Sequence, residues 1–227
     1  MLIALLRAFN ASFSPPLRKV MALSLGIAVL SFLVLGTSVA LLLQYLPTIG
    51  WRPVNWLIDL LGVVGVAFLS WLLFPAVVTL IMSLFLERIA ATVEATYYPG
   101  RGPPRRQSAR EIVASGARLM LLTVTLNLLA LPVYILLPGL NIAVFLLLNG
   151  YLFGREYFEV VAMRRLDVDA TATIRRRFSG RIFYGGVLIA GVFLLPLVNL
   201  VAPVIATAFM VHVFEALPSQ ESARPRN

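Results

Sequence analysis

The sequence contains no cysteine and only one histidine, His212, and each shortage excludes a kind of site. Without cysteine, the chain can form neither a disulfide nor a thiolate metal site. His212 lies inside an apolar run, with no second histidine and no paired carboxylates at metal-ligand spacing. We therefore predict a packed or pore-facing histidine, no metal site and no cofactor.

Charged residues are also scarce in this chain. Only 13% of the 227 residues are charged and 60% are hydrophobic, which gives a mean hydropathy of +0.91. A soluble domain of this size does not need so much apolar surface, whereas a protein that crosses a membrane several times does. The composition therefore predicts an integral membrane protein.

Acidic residues are fewer than basic ones, at 10 against 19, so the net charge is +9, and Lys19 is the only lysine. In membrane proteins an excess of basic residues marks the cytoplasmic side. The arginines flank apolar segments and do not form a soluble basic domain, so the sequence predicts no nucleic-acid partner.

The motifs of common enzyme classes are missing from the sequence as well. It contains no P-loop, no Rossmann fingerprint and no nucleophile elbow. Acidic residues that could carry protons are nearly absent from the apolar runs. We therefore predict that the protein is not an enzyme and that a pathway through it would be passive or weakly coupled.

Two long apolar stretches, residues 119–153 and 182–217, are each interrupted by prolines near the middle. These prolines are Pro132, Pro138, Pro196 and Pro203. Each stretch is too long for one membrane helix and too short for two. Because broken backbone in a bilayer must be covered by protein or by a water-filled cavity, the stretches predict helical hairpins beside a solute pathway.

The remaining segments complete a single membrane domain over residues 1–217. The pattern predicts an interfacial helix over residues 1–13, long transmembrane helices over 20–46 and 54–86, and a disordered tail over 218–227. The apolar residues that share one face of the first helix are Leu2, Leu5, Leu6 and Phe9.

The distribution of basic residues distinguishes spanning segments from returning ones. Suppose that each stretch, 119–153 and 182–217, enters the membrane and returns to the side from which it came. Both chain ends and the basic segments 88–118 and 155–181 then lie on one side of the membrane, and Arg52 lies on the other. Arms of about 13–15 residues would be roughly 20 Å long, which is too short to cross the bilayer. The predicted fold is therefore an all-α integral membrane protein with two long transmembrane helices and two half-penetrating, re-entrant helical hairpins.

The segment before the first long helix combines a helix start with two cations. Ser14 can cap the helix, and Pro15 suits its first position. Unpaired backbone N–H groups at such a start, together with Arg18 and Lys19, form an oxyanion site of the phosphate or sulfate type. Leu17 and Ser14 complete the candidate set. The alternative is that Arg18 and Lys19 only mark the membrane boundary.

A second group of charges could line a polar entrance. Arg155 and Glu159 are four residues apart on a helix and can pair. Glu87 and Glu94 lie two turns apart on one helix face, and Glu156 belongs to the same group. The alternative is that these residues form interfacial ion pairs that only orient helices.

A third group, residues 175–177 and Arg181, is wholly basic. Such a cluster could collect anions, but contact with lipid headgroups is the favoured interpretation.

Several motifs together resemble one bacterial family. They are SPPLRK before the first long helix, LPG at a hairpin tip, GYLFGREYFEVVAMRR and LLPLVNLVAP. The chain resembles the CysZ sulfate permeases of the etoposide-induced membrane protein superfamily over about residues 5–216. The resemblance implies an inner-membrane protein that passes sulfate into the bacterial cytoplasm for cysteine synthesis, with two long helices and two half-penetrating helix pairs.

The resemblance also implies a binding site and an assembly. The family's sulfate site is a Gly-Leu-Arg motif at the start of the first long helix, which corresponds here to Pro16-Leu17-Arg18 with Lys19 beside it. Proline in place of glycine removes one N–H donor. Family members form antiparallel, dual-topology oligomers, so a homo-oligomer is expected.

Two functions therefore follow as hypotheses from the sequence. The first is a channel-like sulfate permease in which Arg18 and Lys19 bind the anion. The second is a membrane interaction or lipid-organising protein that transports nothing, which the half-inserted hairpins and the arginine-rich face would also suit.

Overall fold

The computed structural model describes residues 1–12, 14–44, 60–62, 64–65, 68, 81, 84–196 and 198–218, and these residues are helical or lie in turns and loops. The α-helices are α1 (Leu2–Ser12), α2 (Pro15–Gln44), α3 (Leu86–Tyr97), α4 (Ala109–Leu136), α5 (Asn141–Ala162), α6 (Val168–Arg177), α7 (Ser179–Phe193) and α8 (Ala202–Glu215). Two short 3-10 turns lie at Pro138–Leu140 and Val198–Leu200.

Among the described residues, two helices are long and apolar enough to cross a membrane, judged by length and composition. They are the Leu17–Ser38 part of α2 and the whole of α4. Little of either helix is buried inside the protein. Large apolar side chains on both helices are exposed, such as Leu30 and Leu33 on α2 and Leu129 and Ile135 on α4. Their apolar surface is therefore not packed into the described core.

The second predicted long helix, residues 54–86, lies mostly outside the described residues. Within it the backbone is helical at residues 60–62, 64–65, 68 and 81, and residues 84–85 form a turn before α3 begins at Leu86. The predicted disordered tail also lies outside the described residues from position 219 onward.

Each proline-interrupted stretch forms a helical hairpin whose tip is a 3-10 turn. The first joins α4 to α5 through Pro138–Leu140, and the second joins α7 to α8 through Val198–Leu200. Pro203 lies in the first turn of α8, where its missing N–H removes no helical hydrogen bond.

The first hairpin has longer arms than the sequence predicted. Pro132 lies inside α4 and does not end it, and the capped helix that starts at Ala109 continues into the apolar stretch without a break. α4 therefore has 28 residues and is about 42 Å long. The arms of the second hairpin have the predicted length, because α7 and α8 have 15 and 14 residues and are about 22 Å long.

α8 is the central helix of the structure. Every residue from Ala202 to Phe214 is buried, and α1, α3, α5 and α7 all pack against it. The face of α1 that becomes buried contains Ala8 and Ala11, whereas Leu6 and Phe9 of the predicted apolar face remain 63% and 44% exposed. Alanines face inward because their small side chains let the two helices approach closely.

α5 and α7 make the closest helix crossing in the described structure. A Cβ atom on Gly154 would lie 2.5 Å from the carbonyl oxygen of Ile182, and one on Gly186 would overlap the carbonyl oxygen of Gly150. Glycine at these positions therefore permits direct contact between the two backbones. The crossing fixes the orientation of α5, whose C-terminal half carries the charged residues described next.

Candidate functional site

The first candidate site lies at the start of α2. Ser14 occupies a bend before the helix, and its carbonyl oxygen accepts a hydrogen bond of 2.9 Å from the backbone N–H of Arg18. Leu17 is only 1% exposed and packs into the core, whereas Arg18 and Lys19 are exposed. Within the described chain neither cation has a recorded hydrogen bond or ion pair, so both can contact a solute.

A second basic pair, Arg164 and Arg165, follows α5 and has many partners. Arg164 is 3% exposed. Its Nε donates to Glu94 Oε1 and its Nη2 to Glu94 Oε2, both at 3.2 Å. Its Nη1 donates at 3.2 Å to both the carbonyl oxygen and the Oε1 of Glu87. This guanidinium therefore links the end of α5 to two turns of α3.

The loop between α3 and α4 is tied to the same cluster, which we call the Arg164 cluster (Glu87, Glu94, Arg164 and Arg165). Arg165 donates to Glu94 and to the carbonyl oxygen of Gly102. The N–H of Arg105 donates to the carbonyl oxygen of Arg164 at 2.8 Å. These bonds hold the glycine- and proline-rich loop against the end of α5.

The start of α4 extends this arrangement. Ser108 and Glu111 form a capping box, because the Ser108 hydroxyl accepts from the Glu111 N–H and the Glu111 carboxylate accepts from the Ser108 N–H. Arg105 also pairs with Glu111 at 3.0 Å. The start of α4 is therefore held both by its own cap and by the loop that precedes it.

Arg155 and Glu159 of α5 form the i,i+4 pair whose geometry the sequence suggested. The Nε of Arg155 lies 2.8 Å from Glu159 Oε1, and the Nε of Arg175 from α6 lies 3.4 Å from the same oxygen. Burial, followed by the charge of Arg155, lowers the pKa of Arg175. Sequence spacing does not place Arg175 in this group, because its contact with Glu159 depends on how α6 packs against α5.

Glu156, the remaining acid of the predicted group, is half-buried beyond the end of the apolar stretch at residue 153. No hydrogen bond or ion pair is recorded for its carboxylate within the described residues. Burial raises the pKa of Glu156 above its ordinary value of 4.5. The structure therefore separates Glu156 from its neighbours Arg155 and Glu159, which are paired.

His212 is packed between aromatic rings. It is 4% exposed, its Nδ1 lies 2.8 Å from the hydroxyl oxygen of Tyr98, and the ring of Tyr97 meets it edge-on at a centroid distance of 5.0 Å. Burial, with a further contribution from the charge of Glu215, raises the pKa of Tyr98. The same corner of the structure contains the ion pair between Arg101 and Glu215.

Apart from Glu156, the predicted site residues therefore form three separate groups. They are the start of α2, the Arg164 cluster, and the Arg155–Glu159–Arg175 group. α2 contacts α3, but Arg18 forms no ion pair with Glu87 or Glu94 among the described residues. The glycine crossing of α5 and α7 was missed in the sequence, although Gly150 and Gly154 have the spacing that close helix packing favours.

A family profile described as "Sulfate transporter CysZ/Etoposide-induced protein 2.4" matches residues 4–203, most of the chain. The chain belongs to this family. The match includes the whole of α2 to α7, and with them every predicted site residue. No curated protein matches the chain in sequence. The family resemblance carried by the sequence motifs is thus confirmed, and the family's description names sulfate as the transported ion.

Proposed function

We propose that this protein conducts sulfate across the bacterial inner membrane, as a channel or a weakly coupled permease that supplies sulfate for cysteine synthesis. The observation that carries the proposal is the start of α2. There Arg18 and Lys19 are exposed and have no recorded partner in the described chain, within a family described as sulfate transporters. Two unneutralised cations beside a helix N-terminus attract a divalent oxyanion.

The exposed apolar helices support insertion of the protein in the membrane. α2 and α4 are each long enough to span a hydrocarbon core of about 30 Å, whereas α7 and α8 at about 22 Å would enter it without crossing. We therefore retain the half-penetrating arrangement for the second hairpin. For the first hairpin we propose that α4, because of its length, inserts more deeply into the membrane than α7 and α8 do.

The anion would be recognised by side chains and backbone at the helix start. Arg18 offers a planar fork of donors and Lys19 a mobile point charge, while Ser14 and Leu17 shape the turn. Pro16 supplies no N–H, so in this chain the side chains carry more of the contact than a glycine-containing motif would require.

The second group of predicted residues would line the pathway beyond this site. Glu87 and Glu94 are held by Arg164, and Glu159 is held by Arg155. These carboxylates are neutralised by arginines, so they would repel a passing anion less than free carboxylates would. Glu156 belongs to the proposed entrance as well, as its unpaired member.

We further propose that the protein works as a homo-oligomer, with antiparallel pairing as the family resemblance implies. The apolar surfaces of α2 and α4 could face either lipid or a second copy. Because the chain has no native cysteine, single-cysteine variants can be cross-linked at chosen positions. The cross-links would show which surfaces of two copies meet and whether the copies are parallel or antiparallel.

The function is tested by uptake of labelled sulfate into proteoliposomes that contain the purified protein. We expect sulfate to enter faster than it enters protein-free liposomes, and unlabelled sulfate to compete. Uptake equal to that of protein-free liposomes would reject transport. It would favour the alternative of a lipid-organising protein, which the short arms α7 and α8 also suit.

A further inference from the structure

A cleft of about 520 Å³ opens between α5, the end of α6 and the start of α7. It is separate from the start of α2, where we place sulfate binding. The polar side chains that line it are Tyr151, Arg155, Arg175, Arg176, Ser179 and Tyr184. The cleft therefore brings three guanidinium groups together from two helices.

The charges around the cleft do not balance. Arg155 and Arg175 both direct their Nε atoms to the single oxygen Glu159 Oε1, at 2.8 and 3.4 Å. Arg176 is exposed, and no partner is recorded for it in the described chain. Three arginines against one carboxylate leave a net charge of +2.

Burial increases the cost of this imbalance. The side chains of Arg155 and Arg175 are only 12% and 20% exposed, and the Nε of Arg175 is fully buried without a hydrogen bond in the described structure. Buried cations with too few counter-charges are unfavourable unless a ligand supplies them. Among the described residues, the Nη atoms of Arg155 and Arg175 make no hydrogen bond. These atoms are the guanidinium donors that bind an anion best.

The start of α7 adds a further attraction for negative charge. Ser179 and Gly180 line the cleft in the first turn of this helix, and no side chain among the described residues caps it. The first N–H groups of a helix lack internal partners and carry a positive partial charge.

We propose that this cleft binds one phosphate- or sulfate-type oxyanion, either as a free ion or as the headgroup of an anionic phospholipid. Sulfate or hydrogen phosphate, as a dianion, would balance the net charge of +2, whereas a phosphodiester headgroup, as a monoanion, would offset half of it. In either case the Nη atoms of Arg155 and Arg175 would donate to the oxygens of the anion. The cleft shares no residue with the start of α2, where we place sulfate binding, although Arg155 also belongs to the group that we propose to line the pathway.

The test is binding to purified full-length protein that carries Arg18→Ala, so that the proposed transport site does not contribute. Labelled sulfate and labelled phosphate are measured by equilibrium dialysis. The amount of phosphatidylglycerol that stays bound to the protein is measured by native mass spectrometry and compared with the amount of phosphatidylcholine. The test variant is Arg175→Gln, and Arg177→Gln is the matched control, because it removes the same charge from the same helix outside the cleft.

We expect Arg175→Gln to weaken binding of at least one probe about tenfold, because it removes two charge-assisted donors, while Arg177→Gln changes it less than about twofold. Loss of sulfate or phosphate binding identifies a free ion, and selective loss of phosphatidylglycerol identifies a headgroup. Arg176→Gln, at an exposed position that folding tolerates, should weaken the same probe by a smaller factor.

Three results would overturn the proposal. The first is that the Arg18→Ala protein binds none of the three probes. The second is that both Arg175→Gln and Arg176→Gln bind every probe as strongly as their parent. The third is that Arg177→Gln weakens binding as much as Arg175→Gln, which would show a response to general surface charge only.

Discussion

Two pairs of adjacent basic residues look alike in the sequence and differ completely in the structure. Arg164 and Arg165 are buried or half-buried and contact two carboxylates and two carbonyl oxygens. Arg18 and Lys19 are exposed and have no recorded partner among the described residues. The first pair therefore serves the fold, whereas the second is available to a ligand.

The comparison shows that the function of an arginine depends on where the nearest acid lies in space. Glu94 is 70 residues before Arg164 in the chain, yet it lies beside this arginine because α3 packs next to the end of α5. No carboxylate pairs with Arg18 in the described structure. An anion-binding site needs such an unpaired arginine, because an arginine whose charge is neutralised by an acid attracts a solute anion only weakly.

The largest predicted effect comes from breaking the buried pair. Arg164→Ala would remove two hydrogen bonds from the carboxylate of Glu94, which is 4% exposed, and would leave Arg165 as its remaining counter-charge. Because breaking a buried ion pair completely costs about 3–5 kcal/mol, that range is the upper limit for this variant. We expect a large fall in the midpoint of thermal unfolding in detergent, followed by circular dichroism. A midpoint equal to that of the unchanged protein would show that the Arg164 cluster does not hold the fold.

The next effect concerns the crossing that positions the end of α5. Gly186→Ala would place a methyl group against the backbone of Gly150, and we expect a loss of about 1–3 kcal/mol from overpacking. The matched control is Gly191→Ala on the same helix, where nothing lies within 4 Å. The control should be neutral or slightly stabilising, because alanine favours a helix over glycine by about 0.5–1 kcal/mol. Equal unfolding midpoints for the two variants would contradict the close crossing.

A third variant extends the comparison to the acids, since Glu94 is paired and Glu156 is not. Burial raises the pKa of Glu156, so the folded protein holds this proton more tightly than the unfolded chain does. Stability contributed by the protonated group is therefore lost as pH rises from about 4.5 through the raised value. Glu156→Gln should be more stable than the unchanged protein at neutral pH and equal to it at pH 4 or below. A stability difference that does not vary with pH would contradict the unpaired state of Glu156.

The smallest predicted effect on stability belongs to Arg18. Because its side chain is exposed and has no recorded partner in the described chain, Arg18→Ala should change the free energy of unfolding by no more than about 0.5 kcal/mol. A loss as large as that of Arg164→Ala would show that Arg18 is structural, and the distinction between the two basic pairs would fail.

Local patterns in the sequence were enough to predict part of this arrangement. The helix start at Pro15 follows from the preferences of residues close in the chain, and it is confirmed, since α2 begins at this residue. Local patterns do not predict whether Pro132 ends its helix. A proline ends a helix only if the surrounding structure does not compensate for the lost bond, and α4 continues through it.

Most of the ion pairs of the arginines cannot be predicted from residues that are close in the sequence. Arg155 and Glu159 share one helix, so their spacing was sufficient to suggest a pair. The contacts of Arg164 with Glu94 and of Arg175 with Glu159 depend on the packing of different helices. A single sequence contains no distance between such residues. For the basic residues 175–177 and Arg181, the sequence therefore favours lipid headgroups over anions and does not indicate that Arg155 lies beside them.

The central claim is that the unpaired cations at the start of α2 bind sulfate on its way through the protein. The most direct measurement is the initial rate of labelled-sulfate uptake by Arg18→Ala proteoliposomes, compared at equal protein content with the unchanged protein. Arg110→Ala serves as a control at another exposed arginine. We predict a fall of about tenfold or more for Arg18→Ala and little change for Arg110→Ala. Uptake by Arg18→Ala at the unchanged rate would contradict the claim.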